Sequence, residues 1–152
     1  MGVIKQRSLK AGRDYNYAEG VKVLNSTGTA IAANKIVCVV GHDGPYVKVA
    51  LADEGAPATR VGRLHITKHE LPASGYGVVL PWRLVTGLSN LANGGAPTGA
   101  GTVIYLGASG GWTTTKGSNG RMVGTVATAG SGAATTDGAI FFSGEGVHSV
   151  VP

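Results

Sequence analysis

The chain's reactive side chains are few: four histidines, eight carboxylates, one cysteine and some hydroxyls set among glycines. His65 and His69, with Glu70 beside the second, have the spacing that puts two imidazoles on one helix face, where zinc is held in metalloprotease helices. Yet the surrounding run Arg60–Thr67 alternates like a strand, with Leu64 and Ile66 set among Arg63, His65 and Thr67. Four residues of strand would hold the two rings roughly 13 Å apart. No third ligand stands nearby, so no metal site is expected. Gly107-Ala108-Ser109-Gly110-Gly111 spells Gly-x-Ser-x-Gly, the letters of a nucleophile elbow. An elbow requires a strand before the serine and a helix after it. Here Trp112-Thr113-Thr114-Thr115 follows, a strand-favouring run, and a hairpin turn is expected instead.

The other candidates are equally poor in chemistry. Asp53-Glu54 is the only adjacent pair of carboxylates, and it sits in a loop beside Gly55 and Pro57. Adjacency in sequence creates no acid/base geometry. Cys38 lies in the apolar run Ile36–Val40, where a buried inert thiol is expected. No Gly-x-x-x-x-Gly-Lys-Ser/Thr sequence or strand–glycine–helix unit offers a phosphate cradle. Asn25-Ser26-Thr27 matches a glycosylation sequon by letter only. Trp82 and Trp112 read first as core or subunit-interface residues and second as platforms for a sugar. Neither an enzyme nor a cofactor is expected.

The elements that would position these residues are short and β-like. Candidate strands cover Val21–Leu24, Lys35–Val40, Tyr46–Leu51, Arg60–Thr67, Tyr76–Leu80, Trp82–Gly87, Thr102–Leu106, Trp112–Lys116, Arg121–Thr128 and Gly138–Ser143. Turn chemistry separates them: Gly41–Pro45 within a hairpin, Gly107–Gly111, and Asn119-Gly120, a pair suited to positive φ. Thr67–Leu71 has room for one helical turn before Pro72. No window carries a 3.6-residue apolar stripe with caps. The expected fold class is all-β, a single barrel or sandwich of about nine short strands.

Composition agrees with that class and bounds the partners. Twenty-six of the 152 residues are glycine, and 14 % are charged against about 25 % in ordinary domains. Residues 1–17 carry Lys5, Arg7, Lys10 and Arg13 against Asp14 alone, a net +3. The other 135 carry nine basic and seven acidic side chains. The chain therefore divides into a basic arm, residues 1–17, and a nearly neutral β domain, residues 18–152. Ile4, Leu9, Tyr15 and Tyr17 add apolar anchors to the arm, which could reach about 55 Å when extended. These four and the four basic residues are the candidate partner-binding set. Four scattered charges without an aromatic platform argue against nucleic acid as the partner. No apolar run approaches the 18 residues of a membrane span, and Met1–Arg7 lacks the apolar core of a secretory signal. The expectation is synthesis in a cytoplasm without membrane insertion.

From Ala18 to Ser143 the order of segments resembles the small capsid decoration, or cement, proteins of tailed bacteriophages and related β-modules of their fibres and appendages. The blocks that carry the resemblance include Val23-Leu24-Asn25-Ser26-Thr27-Gly28, Ile31–Val37, Val47–Asp53 and Ala58–Gly62. Gly75-Tyr76-Gly77-Val78-Val79 leads to Leu84-Val85-Thr86-Gly87-Leu88. Gly101–Leu106, Gly110–Thr115, Val123–Val126 and Gly138–Phe142 complete the order. The resemblance implies a β-barrel or sandwich on the exterior of a virion, often a homotrimer, bound to the major capsid protein, with no cofactor and no reaction. It carries over no catalytic residue and does not extend to the arm. A tail-fibre or carbohydrate-binding receptor module, or a minor head or tail protein, is the alternative.

Overall fold

A computed structural model describes residues 20–89, 99–132 and 134–144, which form ten strands and one helical turn. The class is all-β, as expected. In chain order the elements are β1 (Val21–Asn25), β2 (Ile36–Asp43), β3 (Tyr46–Leu51), α1 (Pro57–Arg60), β4 (Leu64–Thr67), β5 (Tyr76–Leu80), β6 (Arg83–Leu88), β7 (Val103–Leu106), β8 (Trp112–Thr113), β9 (Met122–Thr128) and β10 (Gly138–Phe142).

Barrel and sheet are both present. Strands β1-β3-β2-β4-β5 close into a barrel, and β6-β10-β9-β7-β8 form a second, open sheet. All pairs are antiparallel except β1 with β3, where Val23 stands opposite Val47. That exception follows from the chain path: β1 crosses over to β2, and the β2–β3 hairpin brings β3 back beside it. The barrel interior is filled by Val23, Ile31, Val37, Val49, Leu71 and Val79, with Val39, Val47 and Leu51 packed against them. A second core lies between barrel and sheet. Ile36, Cys38, Leu64, Ile66 and Leu80 meet Val85, Ile104, Leu106, Val123, Val126, Ile140 and Phe142 there.

Strand pleating explains the sequence pattern. Alternate residues of β2 face opposite ways, Ile36 and Cys38 to the sheet and Val37 and Val39 to the barrel interior. A strand buried on both faces reads as an unbroken apolar run, which is what Ile36–Val40 is. Strand β10, covered on one face, alternates where it can: Ile140 and Phe142 are buried while Phe141 is exposed.

Several local expectations are corrected. Strand β2 does not stop at Val40 but continues to Asp43, with a register slip between Val39 and Gly41, so that only Gly44-Pro45 turns the hairpin. A bulge absorbs the extra residue and lets the strand run on. Thr67–Leu71 is not helical. Its N–H groups are taken by strand-type partners, Lys68 by the Val78 carbonyl and Leu71 by the Ile31 carbonyl (3.1 and 2.8 Å). The run Arg60–Thr67 yields only β4, because Pro57–Arg60 makes the helical turn. Strand β8 is two residues rather than five, since β7 offers it only Tyr105 and Leu106. Asn119 and Gly120 turn without positive φ, the Gly120 N–H closing on the Gly117 carbonyl at 3.1 Å.

Candidate interaction surface

Among the described residues, the groups considered above for chemistry are used for structure. Asp53 accepts the Gly55 N–H (2.8 Å) and the Ser109 N–H (3.0 Å), and Glu54 accepts the Asn119 N–H (2.8 Å). The carboxylate pair thus ties the barrel's β3–α1 loop to two turns of the sheet. Arg121 adds to that tie from the sheet side, donating to the carbonyls of Arg60 and Gly62. Arg83 donates to the Lys68 carbonyl at 2.8 Å.

Ser109 sits at the tip of a hairpin turn between antiparallel strands β7 and β8, with φ +51°. The next residue, Gly110, docks on the barrel where β2 begins and β3 has just ended: its N–H bonds the Ala52 carbonyl (2.6 Å) and its carbonyl accepts the Ile36 N–H (2.8 Å). No helix follows, so the letters of the elbow form a turn that fastens the sheet to the barrel. His65 lies on β4, on the face opposite Leu64 and Ile66, and the His69 ring bonds the Glu70 carbonyl at 2.9 Å. No group of three or more His, Cys, Asp or Glu side chains that could hold a metal occurs among the described residues. Cys38 is a buried thiol in the core between barrel and sheet. Asn25 of the apparent sequon is fully buried, which gives those letters a folding role.

Three surface features remain. The first is an apolar strip on the sheet's outer face. Cross-strand register places Leu84, Phe141, Thr125 and Val103 in one row over four strands. Leu84 is 53 % exposed and Phe141 36 %, and Trp82, 51 % exposed, lies against Phe141 with ring centroids 6.2 Å apart. Large apolar side chains gathered in the open, rather than scattered singly, mark a surface for contact. Trp82 is therefore no core residue; it stands at the corner after Pro81, outside the strand that sequence reading assigned to it.

The second feature is a cleft of about 450 Å³ lined by Ala33, Asn34 and Lys35 of the barrel, Val85–Leu88 of β6, and Gly111 and Trp112. Strands β6 and β8 are opposite edges of the sheet, so their presence at one cleft means that the sheet curls. Trp112 is half-buried against the shared core. The third is a cluster on the barrel, where Tyr46 and Tyr76 meet edge to face at 5.0 Å and the Lys22 ammonium lies 5.2 and 5.3 Å from their ring centroids.

The arm residues Ile4, Lys5, Arg7, Leu9, Lys10, Arg13, Tyr15 and Tyr17 lie outside the described residues. Sequence reading missed the strip as a unit, because Trp82, Leu84 and Phe141 become neighbours only once β6 pairs with β10. The chain matches no protein-family model, no curated protein and no solved structure.

Proposed function

We propose that the protein is a non-enzymatic structural component of a tailed-phage virion, a decoration subunit that docks on the outside of an assembled head and holds capsomer junctions together. The observation that carries this reading is the exposed strip Trp82–Leu84–Phe141 on a body otherwise tied together by structural hydrogen bonds. The phage setting, the major capsid protein as partner and assembly as homotrimers come from the resemblance in segment order. Cementing needs no reaction. A subunit that binds the mature lattice and not its free components stabilises the lattice by mass action. Aromatic side chains on a firm β scaffold suit that task, because little conformational entropy is lost when they dock.

The test is attachment of the purified protein to emptied heads of the phage that encodes it. Trp82→Ser and Phe141→Ser alter exposed side chains and should leave the fold intact while weakening attachment at least tenfold. Failure of the wild-type protein to attach would overturn the reading. The exposed Trp82 also favours a second reading, a receptor-binding module with a sugar platform. Copy number per virion separates the two, hundreds for decoration against a few tens for a fibre.

A further inference from the structure

Three asparagines lie among the described residues, and their settings differ. Asn25 is buried and Asn34 is followed by Lys35, whereas Asn119 is exposed and followed by Gly120. An exposed asparagine before glycine is chemically labile, because no side chain on the next residue hinders its backbone nitrogen from reaching the carboxamide carbon. The turn that carries Asn119 is clamped from the other layer. The Asn119 N–H donates to the Glu54 carboxylate at 2.8 Å, and the Gly120 N–H donates to the Gly117 carbonyl at 3.1 Å. Glu54 also lies against Gly117, where an added Cβ would stand 2.9 Å from its Oε2. One carboxylate of the barrel layer thus holds the turn at both Gly117 and Asn119.

We propose that Asn119 is a site of spontaneous modification, an amide that converts slowly to aspartate and isoaspartate, and that Glu54 sets its pace. The Gly120 backbone nitrogen gives its proton to hydroxide and attacks the Asn119 carboxamide carbon. A carbon–nitrogen bond forms to the backbone and the bond to the side-chain nitrogen breaks. The departing nitrogen takes a proton back from water and leaves as ammonia. One water then opens the cyclic imide, at one carbonyl to give aspartate and at the other to give isoaspartate. The sum is amide plus water to acid plus ammonia, with nothing oxidised or reduced. Ring closure requires the Gly120 nitrogen to leave the Gly117 carbonyl, so the turn must first open locally. Glu54 opposes that opening, because its bond to the Asn119 N–H is charge-assisted and strong for its kind. Once the product has formed, the relation reverses. The new carboxylate stands on the very residue whose N–H Glu54 holds, and like charges press the turn away from the barrel. Isoaspartate also lengthens the main chain there by one carbon. The modification therefore loosens one of the ties between sheet and barrel. This inference stands apart from the proposed function, since the reaction needs only water and the turn itself.

Incubation of the full chain in warm, mildly alkaline buffer, followed by peptide mapping, tests it. Mapping separates residue 119 from the chain's other Asn-Gly pair, Asn93-Gly94, which lies outside the described residues. The peptide holding Asn119 should gain aspartate and isoaspartate, while Asn25 and Asn34 stay amides. An Asn119 still intact after about ten half-lives of its conversion in the urea-unfolded chain would overturn the site. Glu54→Ala should speed conversion in the folded chain at least threefold and leave the unfolded rate unchanged. Equal rates in folded wild type and folded variant would overturn the role of Glu54. If Glu54→Ala fails to fold, Glu54→Gln, which keeps the length of the side chain and loses its charge, must still exceed the wild-type rate. Asn119→Asp, which supplies the product's charge directly, should raise the unfolded fraction about two- to fivefold, and adding Glu54→Gln should abolish that increase. No increase in Asn119→Asp would overturn the loosening of the tie.

Discussion

At the scale of single residues, Asn25 shows how a polar side chain comes to be fully buried. Its amide donates to the carbonyls of Thr29 (2.8 Å) and Pro72 (3.0 Å), while its oxygen accepts from the Thr27 N–H (2.9 Å) and hydroxyl (2.8 Å). Every hydrogen-bonding position of the amide is filled. It fastens the end of β1 to the loop that follows Leu71, so Asn25→Ala should cost about 2–4 kcal/mol in denaturant unfolding, through the groups it orphans. Asp137 makes a different kind of local tie, in the open. The Ser131 N–H (3.0 Å) and hydroxyl (2.7 Å) bond its carboxylate, and with Thr135 they lower its pKa from 3.8 to about 2. A depressed folded-state pKa means that the carboxylate form favours the folded loop. Its contribution is complete above the ordinary value and fades as pH falls through about 2. Carboxyl NMR titration should find that midpoint in the wild type, and Ser131→Ala should raise it toward the ordinary value.

At the scale of elements, the β7–β8 hairpin matters most, because its turn is bonded to the barrel backbone through Gly110. This glycine has φ +75°, and a Cβ there would stand 2.6 Å from Leu51 Cδ2 and 3.0 Å from the Ile36 carbonyl oxygen. Conformation and space both exclude a side chain. Gly110→Ala should therefore destabilise by about 2–4 kcal/mol, whereas Ala108→Gly, two positions earlier in the same turn and exposed, should cost under about 1 kcal/mol. Thermal or denaturant melts of the two variants check the contrast. The hairpin itself was legible in sequence, since Gly-rich letters between two β-favouring runs leave little alternative. The same holds for most strands, whose apolar runs end at glycine, proline or asparagine. Their partners were not legible. Strand β1 pairs with β3 and β5 rather than with β2, and such long-range choices depend on matching faces that no local window contains. The strip Trp82–Leu84–Phe141 was hidden for the same reason, whereas Arg60–Thr67 was overread because alternation there began before the backbone had left its helical turn.

At the scale of the whole molecule, the two β layers share one of the two cores, and that sharing decides how the protein unfolds. Strand β2 contributes Ile36 and Cys38 to the shared core and Val37 to the barrel interior, so neither core can open without moving the same backbone. The hydrogen bonds donated by Gly110, Arg83 and Arg121 and those accepted by Asp53 and Glu54 cross between the layers as well. Barrel and sheet should therefore unfold as one cooperative unit. Phe142→Ala in the sheet and Leu71→Ala inside the barrel should each cost about 3–5 and 2–5 kcal/mol and move a single transition seen by every probe. Cys38 offers a sharper measurement, because its thiol lies where the layers meet and a labelling reagent reaches it only when they part. If labelling follows global unfolding, Phe142→Ala should speed it a hundredfold or more, since about 1.4 kcal/mol corresponds to each factor of ten. Leu71→Ala, whose side chain touches only the barrel interior, should speed it by a factor that matches its own loss of stability. A labelling rate that answers to Phe142→Ala and ignores Leu71→Ala would show the sheet lifting off an intact barrel, and the picture of one body would give way to two.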